Sequence, residues 1–294
     1  RPHPTPEIFA HLVEAGFNDT APPYAALTRA TDGHEVLLAL MTGYLPEARD
    51  GWEWCVDEAA AGATDFAPEL GRLAADLHLA LSTFPGAPAG VEAATGIGTG
   101  AAMGEDAGAR AAGALREALD LTDGADGAWL ATRAEALRRE LAPLDGPVAG
   151  PRIRIHGDLH VGQVLRWRDG YAVIDFDGNP TVAGADPYQP VARDVAQLTT
   201  SLEHVAQVAI RRRATPPGLA AAWAARARTL LVTAYKARLA ARHRPDLLDE
   251  SLIRPFEVEQ ECRELIYAAR HLPRWRYAPM GVLRTWYPQE KDIA

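Results

Sequence analysis

Cysteine and long apolar runs are scarce in this 294-residue sequence, and each scarcity excludes a class of protein. Two cysteines, Cys55 and Cys262, cannot form a disulfide framework or a structural zinc site. We therefore expect a reducing, cytoplasmic compartment. The longest strongly apolar stretch, residues 36–41, is much shorter than the ~20 residues that a membrane-spanning helix needs. We expect no membrane contact.

The charge balance argues against a nucleic-acid partner. The chain has 39 acidic and 30 basic side chains and a net charge of −9, and an acidic chain repels phosphate backbones. Its one basic cluster, residues 211–213, is short, and we interpret it as the solvated end of a helix. Lysine is also scarce, because Lys236 and Lys291 are the only two in the sequence.

Apolar periodicity divides the chain into a short mixed segment and a long helical one. Residues 5–16 favour a short helix, and residues 24–29 and 35–44 follow as candidate strands. Such a unit cannot bury its own faces, so we interpret it as part of a larger lobe. Further helices are predicted at 67–84, 107–119, 128–141, 190–210, 216–243 and 245–271, and short strands at 152–155, 164–167 and 171–176.

The segment from His156 to Asp177 carries the residues that favour catalysis. Asp158 follows an apolar strand, where a loop can direct its carboxylate into a cleft. Gln163 begins the next strand and Asp175 ends the one after it, so a hairpin places these side chains next to each other. A carboxylate and an amide oxygen suit Mg²⁺, and a second carboxylate can accept or orient a hydroxyl proton. The arrangement predicts phosphoryl transfer.

This segment resembles the catalytic core of the aminoglycoside phosphotransferase-like kinases, through residues 156–160, Gln163 and residues 175–177. A glutamine at position 163 resembles the maltokinase branch of that group. Residues 70–78 resemble the helix after the hinge of that group. Asp194 resembles its helix-borne aspartate that braces the catalytic loop. The resemblance implies an α+β, bilobal, protein-kinase-like fold with a mostly helical C-terminal lobe and an incomplete N-terminal lobe.

The resemblance also implies roles for individual residues. Asp158 would be the catalytic base, and Gln163 and Asp175 would hold Mg²⁺ against the phosphates of ATP. His160 and Asp177 would contact the acceptor. The residues that would contact ATP, through a hinge backbone and an early helix, are Met41, Gly43, Tyr44 and Glu7.

The expected partner of Glu7 is missing. The family places a phosphate-binding lysine on a strand before the early helix, yet no lysine precedes Asp158 here. We therefore expect residues 1–48 to be the remainder of the nucleotide-binding lobe with the hinge, and residues 49–294 to be the C-terminal lobe with the acceptor site. If nothing precedes this chain, we expect a poor kinase, or a pseudokinase-like module that binds a nucleotide or a sugar.

The C-terminal helix bears on the identity of the acceptor. Gln260, Arg263 and Glu264 share one helical face, and the resemblance places this helix against the acceptor pocket. We expect these three side chains to contact the acceptor. For Glu257 and Glu259, a solvated acidic face is the favoured interpretation.

Carboxylates at the pocket favour an acceptor that carries an ammonium group. Glu261 or Glu264 would hold the amine, and Trp275 would offer an aromatic face to a sugar or simply fill the core. Residues 260–264 and 272–275 are similar to actinobacterial glucosamine kinases, which implies ATP-dependent phosphorylation of D-glucosamine to glucosamine 6-phosphate. The alternatives are a maltokinase, which makes maltose 1-phosphate, and an aminoglycoside phosphotransferase. Both a monomer and a homodimer remain open.

Overall fold

The secondary structure follows the predicted order of a short mixed segment and a long helical one. The computed structural model describes residues 3–31, 34–85, 107–146, 150–178 and 186–288. Within these ranges the helices are α1 (Thr5–Glu14), α2 (Gly51–Ala61), α3 (Phe66–Leu81), α4 (Ala107–Leu121), α5 (Gly124–Leu141), α6 (Ala192–Arg213), α7 (Pro217–Ala241), α8 (Ile253–Arg270) and α9 (Tyr277–Trp286). The strands are β1 (Pro23–Thr31), β2 (His34–Thr42), β3 (Ile153–Arg154), β4 (Val164–Trp167), β5 (Gly170–Val173) and β6 (Tyr188–Gln189).

The strands of the described residues form three antiparallel pairs, β1 with β2, β3 with β6 and β4 with β5. The β4–β5 hairpin opposes Val164 to Val173. This register places the residue before β4 beside the residues after β5, which is where the sequence predicts the chemistry. The β1–β2 hairpin differs, because large apolar side chains such as Tyr24, Leu27 and Met41 are exposed on it.

The helical body is built around α6 and α7. Helix α3 packs against α7, and α6 packs against α2, α7 and α8. The N-terminus of α2 lies very close to the catalytic loop, since a Cβ on Gly51 would stand 1.7 Å from the carbonyl oxygen of Val161. The buried indole of Trp54 donates a 3.0 Å hydrogen bond to the carbonyl of Val164. Together these contacts fix α2 beside β4.

Two features of the C-terminal region differ from the prediction. The last long helix begins at Ile253, not at residue 245, because residues Pro245–Leu247 and Glu250–Leu252 form separate 3₁₀ turns. The side chain of Asp249 accepts the Ser251 N–H and stabilises the second turn. Helix α9 was not predicted.

No helix of the described residues has the length and apolar character that a membrane crossing needs.

Candidate active site

The catalytic loop is anchored on Asp194, a fully buried carboxylate in the first turn of α6. It accepts hydrogen bonds from the N–H groups of His156 (2.8 Å) and Gly157 (2.9 Å), and Nε2 of His78 lies 3.1 Å away. Burial alone would raise the pKa of Asp194, but these partners hold it below its usual value. Gly157 has φ +85°, which few other residues adopt. The predicted bracing by Asp194 is confirmed.

The carboxylate of Asp158 emerges from this loop with one oxygen tied to α6. Nε2 of Gln197 donates a 2.7 Å hydrogen bond to Oδ1, while Oδ2 lies 3.8 Å from Nε2 of His160. The N–H of Gly162 donates to Nδ1 of His160, so the neutral ring carries its proton on Nε2, facing Asp158. Burial raises the pKa of Asp158, with His160 and Gln197 opposing that rise. A raised pKa makes the carboxylate a better proton acceptor.

Gln163 and Asp175 meet at the open end of the β4–β5 hairpin. Gln163 closes the 3₁₀ turn Val161–Gln163, and its Nε2 lies 3.2 Å from Oδ2 of Asp175, which follows β5. Asp175 has φ +64°, a strained backbone conformation of a kind that clusters at functional sites. Gln163 also hydrogen-bonds Asp158. The predicted convergence of these three side chains is confirmed.

The donor chemistry of this cluster fits Mg²⁺. A carboxylate and an amide oxygen are hard ligands, and magnesium sites of this kind complete their shell with waters and substrate phosphates. The described residues hold no group of three or more histidine, cysteine or carboxylate side chains that could bind a metal. The role of Gln163 and Asp175 as ligands of the ion stays a prediction.

A cavity of about 890 Å³ lies beside Asp158. Helices α2, α6 and α8 and the turn before α9 supply its walls. The predicted site residues in its lining are Asp158, His160, Gln260, Arg263, Glu264 and Trp275. One face of α8 thus lines the same cavity as Asp158, as the family resemblance implied.

Glu264 is held at the cavity by two donors. The indole Nε1 of Trp275 donates a 2.8 Å hydrogen bond to Oε2, and Nε2 of Gln260 donates a 3.0 Å bond to Oε1. Neither donor carries a charge, and together they fix the orientation of the carboxylate. The wall therefore offers one oriented anion next to an aromatic ring.

A second tryptophan lines the cavity and was not predicted. The ring centroid of Trp52 lies 5.9 Å from that of Trp275 and 5.9 Å from that of His160. A signal was available in the sequence. Trp52 and Trp54 stand two residues apart on one helix, so their side chains face different directions. The structure shows that Trp54 is the buried one of the two.

Glu261 does not reach the cavity, contrary to the expectation that it would contact the acceptor. It is fully buried behind the wall, and its Oε1 lies 3.1 Å from Nε2 of His204. Burial would lower the pKa of His204, but the carboxylates of Glu261, Glu264 and Glu203 raise it to about 9. The protonated ring holds Glu261 between α6 and α8.

Glu257 and Glu259 form no solvated acidic face. Glu259 is fully buried, with Nη2 of Arg193 2.8 Å and Nε of Arg263 2.9 Å from its carboxylate. Burial would raise the pKa of Glu259, but the two guanidiniums lower it overall. Glu257 accepts a 2.8 Å hydrogen bond from Nε of Arg228. The interpretation was wrong because α6 and α7 supply the counter-ions. Arg263 lines the cavity while bound to Glu259.

Asp177 follows β5, and its side chain contacts the first residue of α1. It is absent from the cavity lining. The Thr5 hydroxyl donates to its carboxylate, and Nε2 of His3 lies 3.7 Å away. The structure therefore does not bring Asp177 to the predicted acceptor contact. Glu7 lies on α1. Burial lowers the pKa of Arg154 on β3, and the nearby carboxylate of Glu7 partly opposes that fall.

The predicted hinge leads out of β2. Met41 and Tyr44 are exposed, and the N–H of Gly43 donates a 2.7 Å hydrogen bond to the carbonyl of Pro22. The N–H of Gly43 is thus already paired within the hairpin, while the side chains of Met41 and Tyr44 face solvent. Contact with adenine at these residues stays a prediction.

Comparison with known proteins decides the family. Residues 8–178, more than half of the chain, match the phosphotransferase enzyme family. The chain belongs to this family. A phosphotransferase of Streptacidiphilus jiangxiensis described as "Glucosamine kinase" is 40% identical over 291 residues, which cover 94% of this chain and 64% of that protein. A glucosamine kinase of Mycolicibacterium smegmatis is 37% identical, with 96% and 71% covered. The chain thus spans less than two thirds of the first relative's length.

Solved structures give the same family. A glucosamine kinase in complex with glucosamine, ADP and inorganic phosphate superposes with a TM-score of 0.86 at 36% identity, covering 100% of this chain and 75% of that one. Another crystal form described as glucosamine kinase gives a TM-score of 0.84 at 36% identity, covering 98% and 70%. The expected α+β kinase-like fold with a mostly helical C-terminal lobe is therefore confirmed.

Proposed function

We propose that the protein transfers the γ-phosphoryl group of ATP to the 6-hydroxyl of D-glucosamine, which gives glucosamine 6-phosphate and ADP. The observation that carries the proposal is the oriented carboxylate of Glu264 in the same cavity as Asp158. A carboxylate there suits an amine, and a carboxylate with a raised pKa suits a hydroxyl proton. The similarity to glucosamine kinases supports the same assignment.

The acceptor is held by charge and by aromatic contact. Glu264 binds the ammonium group, because a charge-assisted hydrogen bond to a fixed carboxylate is stronger than one between neutral groups. Trp275 and Trp52 provide apolar faces for the sugar ring. Fixing the amine in this way restrains the sugar so that a hydroxyl meets Asp158.

Asp158 then acts on the reacting hydroxyl. Its carboxylate takes the hydroxyl proton as the oxygen forms a bond to the γ-phosphorus. The bond between that phosphorus and the β–γ bridging oxygen breaks, and ADP leaves with the electron pair. Gln197 holds Oδ1 so that the carboxylate keeps one orientation throughout.

Gln163 and Asp175 are the residues that would hold Mg²⁺. When bound, the ion neutralises phosphate charge and helps to align the γ-phosphoryl group with the hydroxyl. The protein's own contribution is to keep both oxygen donors beside Asp158, through the register of the β4–β5 hairpin.

The exposed apolar side chains of the β1–β2 hairpin support a division into two lobes. We propose that residues 1–48 belong to the nucleotide-binding lobe and hinge, and residues 49–294 to the C-terminal lobe. Tyr24, Leu27 and Met41 are 69%, 60% and 62% exposed, and apolar side chains on one hairpin favour burial in a larger lobe. Met41, Gly43 and Tyr44 would then supply backbone to the adenine.

A coupled assay of ADP release from the full encoded protein tests the proposal. Glucosamine, glucose, maltose and kanamycin are compared as acceptors at equal concentration. We expect glucosamine to give the highest kcat/KM. Activity with maltose or kanamycin and silence with glucosamine would reject the proposed acceptor, and nucleotide binding without ADP release from any acceptor would favour a binding module.

A further inference from the structure

A second, smaller cavity of about 270 Å³ adjoins the acceptor cavity. We call it the arginine recess, and its lining consists of Arg211, Arg212, Leu272, Arg274, Trp275 and Tyr277. Arg212, Leu272 and Trp275 also line the acceptor cavity, so the two spaces meet at these residues. One face of Trp275 thus borders a space whose chemistry differs from that around Glu264.

The recess concentrates positive charge that the protein leaves uncompensated. Its lining contains no carboxylate, and within the described ranges Arg211, Arg212 and Arg274 form no ion pair. The adjacent Arg213 does pair, with Nη2 2.9 Å from Oδ1 of Asp57. In a chain of net charge −9, acidic partners are abundant. Three exposed guanidiniums without a carboxylate partner among the described residues thus surround one recess.

A helix terminus explains only part of this cluster. Arg211 and Arg212 stand in the last turn of α6, where a cation interacts favourably with the helix dipole. Arg274 belongs to a different element, the 3₁₀ turn Pro273–Trp275, and so does not serve that helix end. The sequence interpretation of residues 211–213 as a solvated helix end is confirmed, because all three are exposed in the last turn of α6, but it does not account for Arg274.

The recess is partly ordered before any ligand arrives. Cζ of Arg211 lies 4.2 Å from the ring centroid of Tyr277, and this stacking restricts the guanidinium. Burial raises the pKa of Tyr277, while Arg212 and Arg211 oppose that rise, which places both charges near the phenol. A restricted guanidinium loses less conformational freedom when it binds an anion.

We propose that the arginine recess binds a phosphate monoester dianion. Guanidinium groups present paired N–H donors that match phosphate oxygens, and several of them balance two negative charges. The recess is too small for a nucleotide but accepts a phosphate group, with Trp275 beside it to contact an attached sugar ring. Free phosphate and a sugar 6-phosphate share this chemistry. The inference needs only the recess and stands whether or not the proposed acceptor is correct.

Calorimetric titration of the full encoded protein without nucleotide tests the inference. Inorganic phosphate and glucosamine 6-phosphate are the probes, applied to the wild type, to Arg211→Gln, to Arg274→Gln and to the double variant. Loss of one charge-assisted hydrogen bond weakens binding by about tenfold or more. We therefore expect about tenfold weaker binding in each single variant and loss of one binding site in the double variant.

The control is Arg138→Gln, which removes an equally exposed guanidinium from a pair with Glu135 elsewhere on the surface. It should bind both probes as the wild type does. Tighter binding of the sugar phosphate would assign a role to Trp275, and equal affinities would assign the site to the phosphate group alone. Unchanged binding in the double variant would overturn the inference, because the anion would then occupy another site.

Discussion

The amide of Gln197 donates a 2.7 Å hydrogen bond to Oδ1 of Asp158, and this contact ties the carboxylate to α6. The same helix carries Asp194, whose carboxylate accepts hydrogen bonds from the backbone N–H groups of His156 and Gly157, the two residues before Asp158. Helix α6 therefore fixes both the loop and the side chain. We expect its buried polar residues to control the rate of reaction more than the binding of either substrate.

Replacing Gln197 with leucine tests this relationship. Loss of the hydrogen bond removes an influence that lowers the pKa of Asp158, so that pKa rises further. The acid limb of the kcat/KM profile should move to higher pH, and kcat should fall by about 10- to 100-fold, the effect of one hydrogen bond to a charged group. Gln207→Leu, on the same helix and outside the cavity lining, is the control. An unshifted acid limb would remove Gln197 from this role.

Glu264→Gln tests the recognition of the amine. The variant keeps the shape of the side chain but removes the charge, so KM for glucosamine should rise by about 10- to 100-fold. KM for glucose, which has no ammonium group, should change much less. Steady-state kinetics with both sugars measure the difference, and Glu135→Gln is a surface control. Equal effects on the two sugars would contradict a charge-specific contact.

The buried pair of His204 and Glu261 predicts a pH-dependent stability. The pKa of His204 in the folded state is about 9, above its ordinary 6.5, so its stabilising contribution is complete below pH 6.5 and is lost as the pH rises through 9. Glu261, with a pKa of about 7 raised by burial, acts in the same direction below neutral pH.

Urea unfolding between pH 6.5 and 9 measures this effect. The unfolding free energy of the wild type should fall with a slope that approaches ~1.4 kcal/mol per pH unit for one proton. The slope should be smaller in His204→Gln, whatever that variant's absolute stability. Equal slopes in the two proteins would show that His204 does not titrate in this range.

Local signals in the sequence were sufficient for the catalytic cluster. Asp158, Gln163 and Asp175 lie within one short segment, where a hairpin of known register fixes their neighbourhood. Helical periodicity likewise predicted that Gln260, Arg263 and Glu264 share one face of α8. The position of that face at the acceptor pocket was implied by the family resemblance.

Such local signals could not predict contacts between residues that are far apart along the chain. The sequence favoured Glu259 as a surface carboxylate, because its partner Arg193 is 66 residues away along the chain. The sequence favoured Glu261 as a site residue, but in the structure it is buried against His204 and does not reach the cavity. Burial of a charged side chain depends on which helices pack together. The spacing of residues within α8 does not predict its packing partners. Gln197 was missed for the same reason.

Turnover by Asp158→Asn in the full encoded protein is the most direct test of the account. The asparagine keeps the size and hydrogen bonding of the side chain but cannot take a proton, so the rate of glucosamine-dependent ADP release should fall by at least about 100-fold. Calorimetry should show glucosamine bound with an affinity close to that of the wild type. A variant that turns over within a few-fold of the wild-type rate would contradict Asp158 as the base.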